Sequence, residues 1–483
     1  MAKLKNIIRQ LSIEDYKEIY NSLMENNAEK SAYLLKFIHE HQYSDEKIMK
    51  ELNVNSNAYY TLRSRLNQKI EEYLLTQIES PRTEILRKVA NINEVVFTKK
   101  RTIAITTLKK LEKELLEYDL AVELMIVYKT LKKLHVHTED FFNYSQLYNR
   151  HVAYTLSVDK VESLLAEYFR KYGMYHFSGS DALKLELSLL VKEINNTCKL
   201  YESHRLYIYQ NCVGVFHRLF VEPEAESADE QMEPLEDIFM KIEEIFEKYK
   251  SDALYFHLVI LLDFLRLEYY NHYKLYRKAE KYFEEVNDSA EGLLTNYNFY
   301  TYPARFLLTK LERHNRLNTQ SEMYEENKVL FHEYEPDMNN IPQYVTYVSY
   351  RALGCYYGGR YDEASRWLNS LLDAVSLKKY PYVHIEVKLL LSLQYCMLRD
   401  NELLQQMSNS IMRQIRILGK ETCVQAVLFA KILKIALEDS SNVWEDKLPP
   451  LFERIKRVNN PYFSLIQYVK LDESFIQKIA TRK

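Results

Sequence analysis

Val348–Leu372 reads VSYRALGCYYGGRYDEASRWLNSLL. Apolar residues recur at spacings of three and four on both sides of Gly358-Gly359. The stretch therefore predicts two helices joined by a tight turn. Working outward, the same periodicity runs along nearly the whole chain. In 105–134, Leu108, Leu111, Leu115, Leu116, Leu120, Leu124, Val127 and Leu131 form one apolar stripe, read as a single amphipathic helix. No segment alternates as a strand does, so the expected class is all-α.

Composition agrees. The chain has 483 residues with only 8 Gly and 10 Pro. Average usage would put Gly near ~7%. Few glycines mean few positive-φ turns and few phosphate-cradling loops. Tyr is abundant, at 41; its apolar body and polar tip suit half-buried helix faces. A length of 483 residues allows two to four ordinary domains or one long array. Net charge is −3, which argues against a strongly basic nucleic-acid footprint. The five cysteines (Cys198, Cys212, Cys355, Cys396, Cys423) are scattered and include no C-x-x-C, as expected of reduced thiols in a cytoplasmic protein. The first residues lack the apolar run of a signal peptide, and the greasiest run, 257–265, is too short to span a membrane.

Breaks are predicted at Ser80-Pro81, at 173–180 (GMYHFSGS), at 222–234, near 287–292, at 335–342, at 378–381 and at 439–450. They divide the chain into an N-terminal unit (1–80), a degenerate helical stretch (81–221), an acidic linker or loop (222–237) and a repeated region (238–483). In the repeated region, GGRYDEA (358–364) resembles the turn and second-helix start of a tetratricopeptide repeat; the resemblance implies Gly359 at the end of a first helix, Tyr361 as a wedge and Ala364 as a small residue where a second helix packs close. Ala352 stands at a tight first-helix position. The 261–286 segment, LLDFLRLEYYNHYKLYRKAEKYFEEV, repeats the scheme with Tyr276 and Ala279. Equivalent second-helix positions fall at 279, 323, 364, 407 and 451, steps of 44, 41, 43 and 44.

This pattern resembles the tetratricopeptide repeat, with a period near 43 in place of the usual ~34. The resemblance covers roughly 250–460. It implies a right-handed α-solenoid of antiparallel helix pairs whose concave face holds a peptide or protein segment. On the resemblance, groove candidates are Phe264, Glu268, Asn271 and His272 in one repeat and Ser349, Leu353 and Tyr356 in another.

A different pattern stands at the front. Ser44–Lys69 reads SDEKIMKELNVNSNAYYTLRSRLNQK. Ile48, Met49 and Leu52 give one short helix its apolar side, and Val54 is the aliphatic residue inside the following turn. Ser56 or Asn55 caps a second helix. On it Tyr59, Leu62, Leu66, Ile70 and Tyr73 share one side, with Asn57, Thr61, Ser64 and Gln68 opposite, Tyr60 and Arg65 toward that face, and Arg63 on the flank. With an upstream helix near 32–41 this resembles a three-helix helix-turn-helix unit. The resemblance implies phosphate or guanine contacts from Arg63 and Arg65, and base-edge contacts from Asn57, Thr61, Ser64 and Gln68. Glu71 and Glu72 would oppose DNA there.

No nucleotide-binding, nucleophile-elbow or zincin motif occurs. His135 and His137, followed by Glu139 and Asp140, are the best metal candidates, but residues two apart share no helix face. No enzyme activity, metal or cofactor is expected. The reading is a non-enzymatic peptide- or protein-binding repeat scaffold. The alternatives are a DNA-binding regulator with a repeat sensor and a structural subunit of a larger assembly, homo-oligomeric or otherwise.

Overall fold

The computed structural model describes residues 8, 11, 13–25, 28–39, 45–77, 81–222, 233–249, 253–330, 334, 336–437, 441–458 and 462–480. Among these, every regular element is a helix and none is a strand. No described helix is long and apolar enough to cross a membrane. The chain divides into two compact units, one of 1–141 with 250–254 and one of 142–249 with 255–483.

In the first unit, α1 (Ile13–Glu25), α2 (Glu29–His39), α3 (Asp45–Glu51) and α4 (Ser56–Gln77) surround a small core that includes Leu34, Leu35, Ile48, Tyr59, Leu66 and Ile70. The α4 cap is Asn55, whose Oδ1 accepts from the N–H of Ala58 at 2.9 Å. Then follow α5 (Pro81–Ala90), α6 (Ile92–Thr98), α7 (Arg101–Glu117) and α8 (Ala121–Leu134). The stripe across 105–134 is therefore two helices and not one. Asp119, at φ 54°, turns the chain back between them. Both halves keep the same apolar spacing, so periodicity alone hides the turn.

The second unit opens on α9 (Asp140–Ser178) and continues through α10 (Asp181–Cys198), α11 (His204–Phe220) and α12 (Leu235–Lys248). The break expected over 173–180 falls at its end: helix α9 runs through Gly173 to Ser178 and is followed by Gly179 at φ +59°. A Cβ on Gly173 would stand 3.1 Å from both Pro342 and Tyr302, so its role is close packing. Most of the acidic stretch (223–232) lies outside the described residues.

Five helix pairs follow: α13 (Ala253–His272) with α14 (Tyr276–Asp288), then, after the short α15 (Ala290–Asn296), α16 (Arg305–Leu317) with α17 (Met323–Leu330), α18 (Ile341–Tyr357) with α19 (Tyr361–Ala374), α20 (Pro381–Leu398) with α21 (Asn401–Leu418), and α22 (Val424–Ala436) with α23 (Ser441–Lys456). Positions 279, 323, 364, 407 and 451 all fall in second helices, as the repeat spacing requires. From α16 onward the pairs share one continuous core, which Phe177 of α9 joins, while residues of α13, α14 and α15 form a separate cluster with Phe306 of α16. Second-helix faces are strongly two-sided, whereas α18 and α20 are buried nearly all round. This is the arrangement expected when each pair cannot cover its own apolar surface.

The turns solve the shortage of glycine in one recurrent way. At the α18–α19 turn Gly359 sits at φ +72° and the N–H of Arg360 bonds to the carbonyl of Cys355 at 2.8 Å. That is the six-to-one bond of a Schellman cap. The same bond closes the turns at Asn53, Asp119, Lys274, Asn318 and Arg399, all non-glycine residues at positive φ. Gly358, just before, lets α17 approach: a Cβ there would meet Tyr324 at 2.7 Å.

Candidate functional site

The last described stretch of the second unit, 462–480, is not a further repeat. It runs back along the first helices of three pairs, with a single 3-10 turn at Ile466–Tyr468, and ends in α24 (Glu473–Ala480). Phe463, Leu465, Ile466, Tyr468, Val469, Leu471, Phe475 and Ile479 are all buried in the common core.

Its contacts go to α20, α16 and α18. The ring of Tyr462 stacks on Tyr382 at 4.4 Å, and Phe463 meets the same ring edge-on at 6.0 Å. Glu386, 1% exposed, accepts the backbone N–H groups of Leu465 at 2.5 Å and Ile466 at 2.9 Å on one oxygen. Burial pushes its carboxyl up to about 8 against the opposing pull of these two donors. The Tyr468 hydroxyl donates to Glu312 at 3.1 Å. The Tyr357 hydroxyl donates to the carbonyl of Tyr468 at 2.5 Å and accepts from the N–H of Lys470 at 2.9 Å. One phenol thus does what a neighbouring β-strand would do for an extended chain. The Lys470 ammonium reaches Asn318 at 2.7 Å, and Lys478 lies over the rings of Tyr356 and Tyr357 at 4.7 and 4.8 Å.

Beside this strap opens a cleft of about 500 Å³ lined by Asn315, Gln320, Gln425, Lys456, Gln467 and Asp472, among others. Its character is amide-rich. Gln320 donates to Asn315 at 2.9 Å, while the buried Oε1 of Gln425 has no hydrogen-bond partner.

Behind the strap lies a buried charge network. Thr309 donates to Glu268 at 2.5 Å, and Arg305 reaches Glu268 at 3.4 Å and Glu312 at 2.8 Å. The Arg305 guanidinium lies 5.0 Å from the centre of the Phe220 ring. Burial raises Glu268 to about 7, with Arg305 opposing, and burial lowers His176 to about 4, with Arg305 reinforcing.

The predicted groove residues are distributed unevenly. Phe264, Glu268, Ser349, Leu353 and Tyr356 are all buried. Phe264 packs near Phe306 within the first pair's core. Of the set, Tyr356 lies against Lys478 of α24, and Glu268 is linked to Tyr468 of the strap through Arg305 and Glu312. Asn271 and His272 stand at the far end of α13, with His272 exposed. Among packing residues, Ala279, Ala352, Ala364 and Tyr361 are buried. Tyr276 is half-exposed beneath Arg316, whose guanidinium lies 3.9 Å from the ring centre.

In the first unit Tyr59, Leu66 and Ile70 are buried and Thr61, Arg65 and Lys69 exposed, with Arg63 intermediate. The side chains of Asn57, Tyr60, Ser64 and Gln68, and of Glu71 and Glu72, lie outside the described ones. His135 is held by Thr138 at 2.9 Å and Asp140 at 3.3 Å, and no metal-ligating cluster occurs among the described residues.

Sequence reasoning missed Tyr357, Glu312, Glu386 and the strap itself. One signal was available. Glu386 is the single acid in PYVHIEVKLLLSLQYCML, an otherwise greasy helix, and a buried carboxylate needs a donor. Compared with known proteins, the chain matches no family model, no curated protein and no solved structure.

Proposed function

We propose that this chain is a non-enzymatic, tetratricopeptide-like scaffold of the cytoplasm that binds a peptide or protein segment. Its site is the wall of first helices α16, α18 and α20 together with the amide-rich cleft. The observation that carries the reading is the pair of side chains, Tyr357 and Glu386, that hydrogen-bond the main chain of a segment outside the helix pairs, Glu386 at the start of its 3-10 turn and Tyr357 on the extended residues after it. Main-chain bonds supply sequence-independent affinity, and pockets between them supply selectivity. The test is selection of a displayed peptide library on the full chain, repeated with Gln425→Ala and Asn315→Ala. Selected peptides should lose about tenfold in affinity for each variant, the worth of one good hydrogen bond. Peptides indifferent to both changes, or an empty selection, would remove the cleft from the reading.

A second reading, DNA binding by the first unit, is favoured by one observation. Thr61, Arg65 and Lys69 lie at four-residue steps along α4 and are all exposed. A mobility-shift assay at low salt on mixed genomic fragments tests it. Retardation abolished by Arg63→Ala with Arg65→Ala is the expected result, and no retardation at all rejects this reading.

A further inference from the structure

We infer that the strap 462–472, YFSLIQYVKLD, is a built-in occupant of the peptide wall, and that the partner is an extended segment of the same chemistry that displaces it. This deepens the reading of the wall as a peptide site and rests on it.

Three observations point to a ligand-like segment and not to one more structural helix. The strap's main chain is recognised by wall side chains at two successive places, Glu386 and then Tyr357. Only Tyr468 and Val469 donate within the segment, to Leu465 and Ile466, whereas an ordinary repeat helix satisfies most of its main chain internally. Its apolar side chains are buried and its polar ones are not: Phe463, Leu465, Ile466, Tyr468, Val469 and Leu471 are buried, Ser464 and Lys470 intermediate, and Gln467 exposed. It also runs against the order of the array, from Tyr382 and Glu386 of α20 back to Glu312 and Asn318 of the α16 pair. A repeat continuing the stack would move forward.

The fit is incomplete where a competitor would start. The cleft borders the strap along Gln467, Lys470, Leu471 and Asp472. In its lining the amide oxygen of Gln425 is buried without a hydrogen-bond partner. A segment entering the cleft can satisfy this group first and then replace the strap residue by residue, as an added strand replaces its predecessor. The competitor's chemistry follows from the wall: an aromatic residue for Tyr382, two aliphatic residues whose N–H groups reach Glu386, a tyrosine for Glu312, and a cation for Asn318. Tethering makes the strap's local concentration high, so an untethered rival is at a disadvantage until the tether is opened.

The experiment uses the full chain with a site-specific protease sequence inserted between Val458 and Tyr462, and a fluorescent synthetic peptide of 462–472. The uncut chain should take up the peptide at least a hundredfold more weakly than the cut chain, read by anisotropy. In the cut chain, Tyr357→Phe should weaken uptake about tenfold, since it removes the donor to Tyr468 and a full phenol acceptor for Lys470. A peptide of the same composition in scrambled order should not bind. A cut chain that keeps its own strap against a hundredfold excess of peptide overturns the proposal. So does one that loses its helical circular dichroism when the strap leaves, because the segment is then structural. Should the insertion itself prevent folding, Ile466→Asp in the uncut chain is the second variant. It sets a carboxylate against Glu386, and a helical variant that still refuses the peptide also overturns the inference. Failure here with cleft-dependent library peptides intact leaves the wall a peptide site with a permanent closing segment; loss of both removes the site altogether.

Discussion

At the scale of single residues, two features carry measurable consequences. The first is the set of turns at Asn53, Asp119, Lys274, Asn318 and Arg399, each holding a side chain at positive φ. A β-carbon in the left-handed region costs about 1–2 kcal/mol. Lys274→Gly and Arg399→Gly should therefore each stabilise the chain by about 1 kcal/mol in urea unfolding, less the entropy glycine adds to the unfolded state. The second is Glu386, whose folded-state pKa of about 8 stands above its ordinary value of 4.5. The folded form holds the proton more tightly, so its contribution is full below about 4.5 and is lost as pH rises toward 8. Glu268, raised to about 7, acts in the same direction. Glu386→Gln keeps an acceptor for Leu465 and Ile466 without the ionisation. Its urea midpoint should fall less between pH 5 and 8 than that of the unchanged protein; parallel profiles would show that Glu386 does not titrate in that window.

At the scale of elements, the repeats were legible and the strap was not. Second helices place small or apolar residues at 279, 323, 364, 407 and 451, and burial of an amphipathic face enforces that spacing. The turn at Asp119 escaped notice because both flanking helices carry the same apolar period and neither Gly nor Pro marks it. The strap escaped for a different reason. Its partners are far away in sequence: Glu386 is 79 residues from Leu465, and Glu312 is 156 from Tyr468. An extended segment buried by other helices has no period of its own to betray it. The same scale holds the charge network that ties α13 to α16. Arg305→Ala would leave Glu268 buried beside Glu312 with no cation between them. The loss should be about 3–5 kcal/mol by urea titration, the range for breaking a buried pair by removing one partner. Thr309→Val should do less, because Arg305 remains.

At the scale of the whole molecule, an array of helix pairs unfolds as a chain of neighbours, each pair answering mainly to the next. The segment 462–472 alters that rule by touching α20, α18 and α16 at once. It ties pairs that would otherwise open one by one, so the middle of the array should melt as a single cooperative block. Native-state hydrogen exchange reads this directly. Amides of 305–317, 341–357 and 381–398 should share one opening free energy in the intact chain and separate into a graded series once Tyr468→Ala loosens the tie. Helix pairs held this way behave as links under a shared clasp: whatever opens the clasp is felt at three of them together.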